Sequence, residues 1–264
     1  MHLSGLFIYP VKGLRGIMLD EAAMEFCGLQ DDRRWMLVDE DGRFLSQRRL
    51  PAMARLDARI DADGLTLRHG EATLHVARPS AGGPRSDVSI WRSRLSAARA
   101  GAAADAWLTA QLGRPCRLVA LDDAHARLIE PPYGHSGEHV SFADGFPVLL
   151  TSEVSLAALN DALTKAVGMD RFRPNLVVSG AAAWAENDWR ALRIGGVAFR
   201  GPKPCTRCVV PSIDQLSGEI PVPGEPLETL ARLNPRPEGV VFGRNLIPLM
   251  SGMLRRGDVV EILG

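Results

Sequence analysis

The chain has 264 residues, 46% of them hydrophobic, which is enough to bury a full core in one large domain or two moderate ones. Its 31 Lys and Arg balance its 31 Asp and Glu, so neither a nucleic-acid binder nor a polybasic membrane surface is indicated. Four cysteines, Cys27, Cys116, Cys205 and Cys208, are too few and too scattered for a secreted disulfide framework, and no stretch nears the roughly 20 apolar residues that span a bilayer; a reducing cytoplasm is the expected compartment.

In chain order, residues 3–9 read as a strand and not a leader, because no basic segment precedes the apolar run, Pro10 follows at once, and no small-residue cleavage site comes after it. Residues 10–16 form a loop in which Gly13 and Gly16 allow positive φ or close backbone approach. Residues 34–38 and 43–46 flank Asp41-Gly42, a hairpin signal. Short strands over 58–61, 65–68, 73–76 and 87–91, separated by Gly, Pro, Asp and Ser, predict a barrel or a strongly bent sheet. Alanine density over 97–112, with Trp107, Leu108 and Leu112 at helical spacing and Gly113 beyond, predicts a helix. A domain boundary is expected at its end, dividing the chain into 1–113 and 114–264.

A strand over 116–121 precedes a polar stretch, 122–141, that holds His125, His135 and His139. Ser152 is placed to cap a helix with Glu153 in its first turn and Leu156, Leu159, Leu163 and Val167 on one face, ending at Gly168. Strands follow over 176–179, over 192–199 with a break at Gly195-Gly196, and over 259–263. The order as a whole predicts a β-rich α/β protein.

One stretch points to chemistry. Lys203-Pro204-Cys205-Thr206-Arg207-Cys208 gathers two thiols and two cations within six residues, and Pro204 and Pro211 keep the dithiol from opening a helix as a thioredoxin-type motif would. An extended or looped presentation follows. Lys203 and Arg207 bring positive potential that favours a thiolate, the form that attacks electrophiles and binds soft metals. Three readings stand at this point. A zinc site would need further ligands such as His135 and His139, a redox dithiol fits the spacing but lacks a βαβ setting, and either cysteine can pack as a small hydrophobe.

The wider pattern resembles a known family. Lys203 to Asp214, followed by Ser217-Gly218-Glu219 and 225–230 (Glu-Pro-Leu-Glu-Thr-Leu), is similar to the signature of the MOSC domain, the C-terminal domain of molybdenum cofactor sulfurases. Tyr9-Pro10-Val11-Lys12-Gly13 with Asp32-Arg33-Arg34-Trp35 resembles the β-barrel domain that precedes MOSC in the mitochondrial amidoxime-reducing component and its bacterial relatives. Asp144-Gly145-Phe146-Pro147, Phe172-Arg173-Pro174-Asn175, Phe242-Gly243 and Gly257-Asp258 fall in the same order, so the resemblance runs over nearly the whole chain.

The resemblance implies an N-terminal β-barrel domain, a MOSC β-barrel domain with peripheral helices, and molybdenum cofactor bound at their junction. It makes Cys208 the molybdenum ligand, Asp144 a residue near the metal, and Lys12, Gly13, Arg33, Arg48, Arg173 and Asn175 the positions that hold the pterin or its phosphate. Gly13 stands where some relatives carry serine, which leaves only its backbone for contact. The implied activity is reduction of N-hydroxylated or N-oxide small molecules, with electrons from a separate ferredoxin-like, flavin or haem protein, since the chain carries no ferredoxin-like extension after its last strand. The alternative is a carrier of sulfur or cofactor that uses a Cys208 persulfide.

Overall fold

The computed structural model describes residues 1–122, 125 and 127–264. The polar stretch 122–141 therefore lies partly outside the described residues. The chain is rich in strand, 39% against 16% helix, with a sheet curled into a half-barrel, which is the β-rich class expected from the punctuation of short apolar runs.

An eight-stranded sheet runs in the order Val260–Ile262, Ala191–Ile194, Val197–Thr206, Val241–Pro248, Val148–Ser152, Leu176–Ser179, His2–Ile8, Ile17–Met18. The first strand of the chain is thus a member of a sheet made mostly from its second half, held antiparallel to Leu176–Ser179. A five-stranded sheet runs Arg85–Ile90, Ser93–Arg99, Arg117–Ala120, Trp35–Val38, Val11–Lys12. Trp35–Val38 is buried on both faces: Trp35 and Leu37 enter one apolar cluster, Met36 and Val38 another, as the period of two requires.

Two helices differ from expectation. The first is Ala102–Leu112, with Ala104, Leu108 and Leu112 buried one turn apart and Gly113 closing it in the left-handed region. Residues 97–99, expected to open it, instead end the strand Ser93–Arg99, where Ala98 pairs with both Arg85 and Ala120. Alanine's helical preference of a few tenths of a kcal/mol yields to two ladders of backbone hydrogen bonds. The second helix starts as expected, Ser152 accepting from Ser155 N, but spans only Glu153–Asn160. Its extension to 167 is prevented because the Asn160 side chain bonds both the amide and the carbonyl of Val167, folding the chain back. Leu163 and Val167 still pack with Leu159, from a turn in place of a helix face.

Candidate functional site

The segment Tyr9-Pro10-Val11-Lys12-Gly13 leaves the large sheet and enters the smaller one. Tyr9 N donates to Asp32 Oδ1 at 2.8 Å, Arg33 N donates to Tyr9 O at 2.8 Å, and Lys12 then pairs with Met36. Phe142 N donates to Arg33 O, so the bend that carries Asp144 is hung on the same loop. Arg127 ties that bend from behind through Ser141 O, Ala143 O and Asp144 O. Arg173 follows a short 3-10 turn, and Asn175 N donates to Leu149 O. Cys205 is the penultimate residue of the strand Val197–Thr206, and Cys208 lies just beyond it, where Arg207 N donates to Val240 O.

These segments, distant in sequence, wall one cleft. Lys12, Gly13, Arg33, Arg48, Asp144, Arg173, Asn175 and Cys208, the eight positions singled out from the sequence, all line it. Cys205, Arg207, Gln47, Phe44 and Trp91 line it as well. Five cations face a single carboxylate among the lining residues, so the cleft suits an anion. Among the described residues, five other than glycine have positive φ; three of them, Arg33, Trp91 and Arg173, line this cleft. Strain concentrated in one place is held there by the surrounding contacts.

The charges are paired unevenly. Lys12 Nζ donates to Asp144 Oδ1 at 2.5 Å, and Trp91 Nε1 donates to the same oxygen at 3.2 Å. Desolvation works to raise the Asp144 carboxyl, but the Lys12 ammonium beside it, with Arg48 and Trp91 adding, holds it well below the usual carboxylate range. Asp144 keeps 65% of its side-chain surface, so it stands ionised in an open cleft that solvent reaches. Burial pushes Lys12 down, against the pull of Asp144. Arg33 donates to Asp32 at 2.6 Å, to Asn175 Oδ1 at 3.1 Å and to Arg173 O at 3.1 Å. Arg173 is different: its Nη1 is buried and has no hydrogen-bond partner among the described residues.

Asn175 is engaged entirely by protein. Its Oδ1 accepts from Arg33 and from Leu149 N, and its Nδ2 donates to Phe7 O. Its part in the cleft is to aim Arg33. Asn175→Ala strands these buried partners, and a loss of about 1–3 kcal/mol in urea unfolding is expected; an unchanged midpoint would show that the three groups find other partners.

The two cysteines are free thiols, half-buried in the same cleft, and their neighbourhood departs from expectation. Arg207 Nη1 reaches Cys205 Sγ at 3.1 Å while Nη2 donates to Phe172 O at 2.7 Å. Lys203 turns away from the thiols onto the rings of Tyr133 and Phe146. His135, weighed as a zinc ligand, lines a separate groove with His125, and among the described residues no three His, Cys, Asp or Glu gather as a metal cage.

The sequence matches the MOSC N-terminal beta barrel domain over residues 1–115 and the MOSC domain over residues 137–261. It is 30% identical over 283 residues to mitochondrial amidoxime-reducing component 1 of Mus musculus, covering 99% of this chain and 82% of that protein. The chain belongs to the MOSC-domain family that includes the amidoxime-reducing components. The Homo sapiens counterpart is 30% identical over 282 residues, covering 99% of this chain and 83% of that protein. Molybdenum cofactor sulfurase of Oryza sativa subsp. japonica is 29% identical over 264 residues, covering 92% of this chain but only 32% of that longer protein. A role connected with molybdenum cofactor follows from this membership.

The cleft of this MOSC protein fits such a group. The phosphate and edges of a pterin need guanidinium and amide donors and its molybdenum a soft sulfur ligand, and the unsatisfied Nη1 of Arg173, the cation excess and the Cys208 thiol suit them. Sequence reasoning missed Phe44, Gln47 and Trp91. Trp91 had a signal: a large aromatic opening the polar run Trp91-Arg92-Ser93-Arg94, where burial is not expected, and it is indeed 44% exposed at the tip between two strands. Phe44 and Gln47 had none, since Gln47 is a buried polar residue whose partners, Gly13 O and Gln215, come from elsewhere in the chain.

Proposed function

We propose that this protein binds molybdenum cofactor in the cleft and reduces N-hydroxylated or N-oxide small molecules with electrons from a separate ferredoxin-like, flavin or haem protein, in a reducing cytoplasm. The observation that carries this reading is the meeting of Cys208 with a cationic wall that contains a buried, unsatisfied guanidinium nitrogen. Bound there, the cofactor would supply the two-electron chemistry that delivers the substrate oxygen as water. Cys208 would be its protein sulfur ligand. Arg173 would grip the phosphate, with Arg33, Lys12 and Arg48 adding positive potential and the Gly13 backbone leaving room for close approach.

Asp144, ionised and held by Lys12 and Trp91, can accept a hydrogen bond but does not serve as an acid near neutral pH. Its place at the cleft suits orientation of an N–H or O–H of the substrate. The Arg48 guanidinium lies over the Trp91 ring at 4.7 Å, and the Phe44 ring meets Trp91 tilted by 57° with centroids 4.7 Å apart, forming one rim against which a planar substrate can lie.

A separate donor is supported by these 264 residues, whose four cysteines cannot build a four-thiolate cluster once Cys208 is used and which hold no Gly-x-Gly-x-x-Gly fingerprint. The purified protein is expected not to oxidise NADH with an amidoxime acceptor, yet to reduce the acceptor when given an artificial low-potential donor or a donor protein with its reductase. Turnover with NADH alone would refute the donor argument. A second reading, a carrier that holds a persulfide on Cys208, is favoured by the similarity to the rice sulfurase. Failure with every donor, on protein that holds molybdenum and a labile Cys208 persulfide, would move the assignment there.

A further inference from the structure

Tyr9 opens the Tyr-Pro-Val-Lys-Gly segment but does not line the cleft. It is 2% exposed. The Arg173 guanidinium carbon lies 4.2 Å from the centre of its ring and that of Arg33 lies 4.6 Å from the same centre. Two guanidinium groups against one ring repel each other, and Arg33 indeed adds to the burial that pushes Arg173 down to about 10. Asp32 compensates Arg33, but no described side chain holds Arg173 through a carboxylate. Asp32 and Asp144 offset part of its buried charge from a distance, and the negative face of the Tyr9 ring lies directly against it.

The ring is also held in place. Tyr9 N and O are bonded to Asp32 and Arg33, so the ring's position is tied to the loop that carries one of the two guanidiniums. Gly16 lies flat against the ring: a Cβ there would come within 2.5 Å of Tyr9 Cε1. Burial raises the phenol to about 12, against the two arginines, so the group stays neutral and acts through its ring and not as an ion-pair partner.

We propose that the Tyr9 ring is a shared cation–π platform that holds the Arg33 and Arg173 guanidiniums against one ring and thereby sets the affinity of the cleft for a phosphate-bearing ligand. Tyr9 is a positioning residue, acting through the arginines. This rests on the reading that the two arginines grip a phosphate, and it adds what makes so close a pair of cations tolerable before the ligand arrives. A ring face is needed and a hydroxyl is not, and dependence of the ring's effect on Arg173 separates the platform from ordinary core packing.

The test uses the full chain produced in a host that cannot make the pterin, with inorganic phosphate as probe at constant ionic strength, read by calorimetry and by the phosphate-dependent rise in Tm. Tyr9→Phe is expected to bind phosphate as the parent does, and Tyr9→Leu on the order of tenfold more weakly. In an Arg173→Ala background the Leu substitution should lose most of its effect, because the partner it acts through is gone. If Tyr9→Leu does not fold, the unbranched Tyr9→Met carries the same comparison. Equal phosphate affinity in parent and Leu or Met variants overturns the platform, as does loss of binding in Tyr9→Phe. A parent that binds no phosphate overturns it together with the phosphate assignment. If the ring pattern holds but native protein contains no molybdenum, the reductase reading falls and the platform stands.

Discussion

Cys208→Ala is expected to lose molybdenum and amidoxime reduction together while the fold survives. The thiol is half-buried and donates no structural hydrogen bond that the described residues record, so its removal should change the urea midpoint by less than about 1 kcal/mol. The loss of a direct sulfur ligand should exceed the roughly 10- to 100-fold that outer partners of a metal are worth, leaving activity near background. Cys205→Ala sets the control. Arg207 would lose its contact with Cys205 Sγ but keep the bond to Phe172 O, so the loop that carries Cys208 stays anchored and activity should fall no more than a few-fold. Metal content and amidoxime turnover in both variants decide the matter: a fully active Cys208→Ala ends the ligand assignment, and equal loss in the two variants would make the pair, not one cysteine, the functional unit.

Arg173 carries the second large effect. Its Nη1 is buried without a partner among the described residues, a cost that a bound phosphate oxygen would repay. Arg173→Ala should release the cofactor during gel filtration, with retention reduced on the order of 10- to 100-fold, as expected for a charge-assisted hydrogen bond worth about 1.5–3 kcal/mol. Arg173→Lys should rescue only partly, because an ammonium supplies charge but not the planar fork, and it stacks less well on Tyr9. The fold should persist in both, since Arg173 touches the rest of the chain chiefly through its backbone and that ring. Retention equal to the parent in both variants would return Arg173 to a structural part.

Much of the fold was legible in the chain itself. Strand positions follow from short apolar runs cut by Gly, Pro and Asp, and 176–179 and the break at Gly195-Gly196 are found where the sequence places them. The Ser152 cap and the left-handed Gly113 are local events, decided within a few residues. Helix lengths were not local: Ala97 and Ala98 are claimed by strands on either side, and Asn160 ends its helix by bonding a residue outside it.

For the site, the sequence by itself named the cysteines and cations that line the cleft, but not Phe44, Gln47 or Trp91. Its motifs name Cys208, the loop cations and the family, because a linear signature survives without knowledge of contacts. Only the tertiary structure decided how they work together. The antiparallel pairing of His2–Ile8 with Leu176–Ser179 brings the Tyr9 loop to the Arg173 turn, across more than half the chain. That contact lets Asn175 aim Arg33 and lays two guanidiniums on one ring, while the bond from Phe142 N to Arg33 O brings Asp144 to Lys12. Propensity and periodicity act over a few residues, whereas charge pairing and ring stacking depend on which distant segments a sheet makes neighbours.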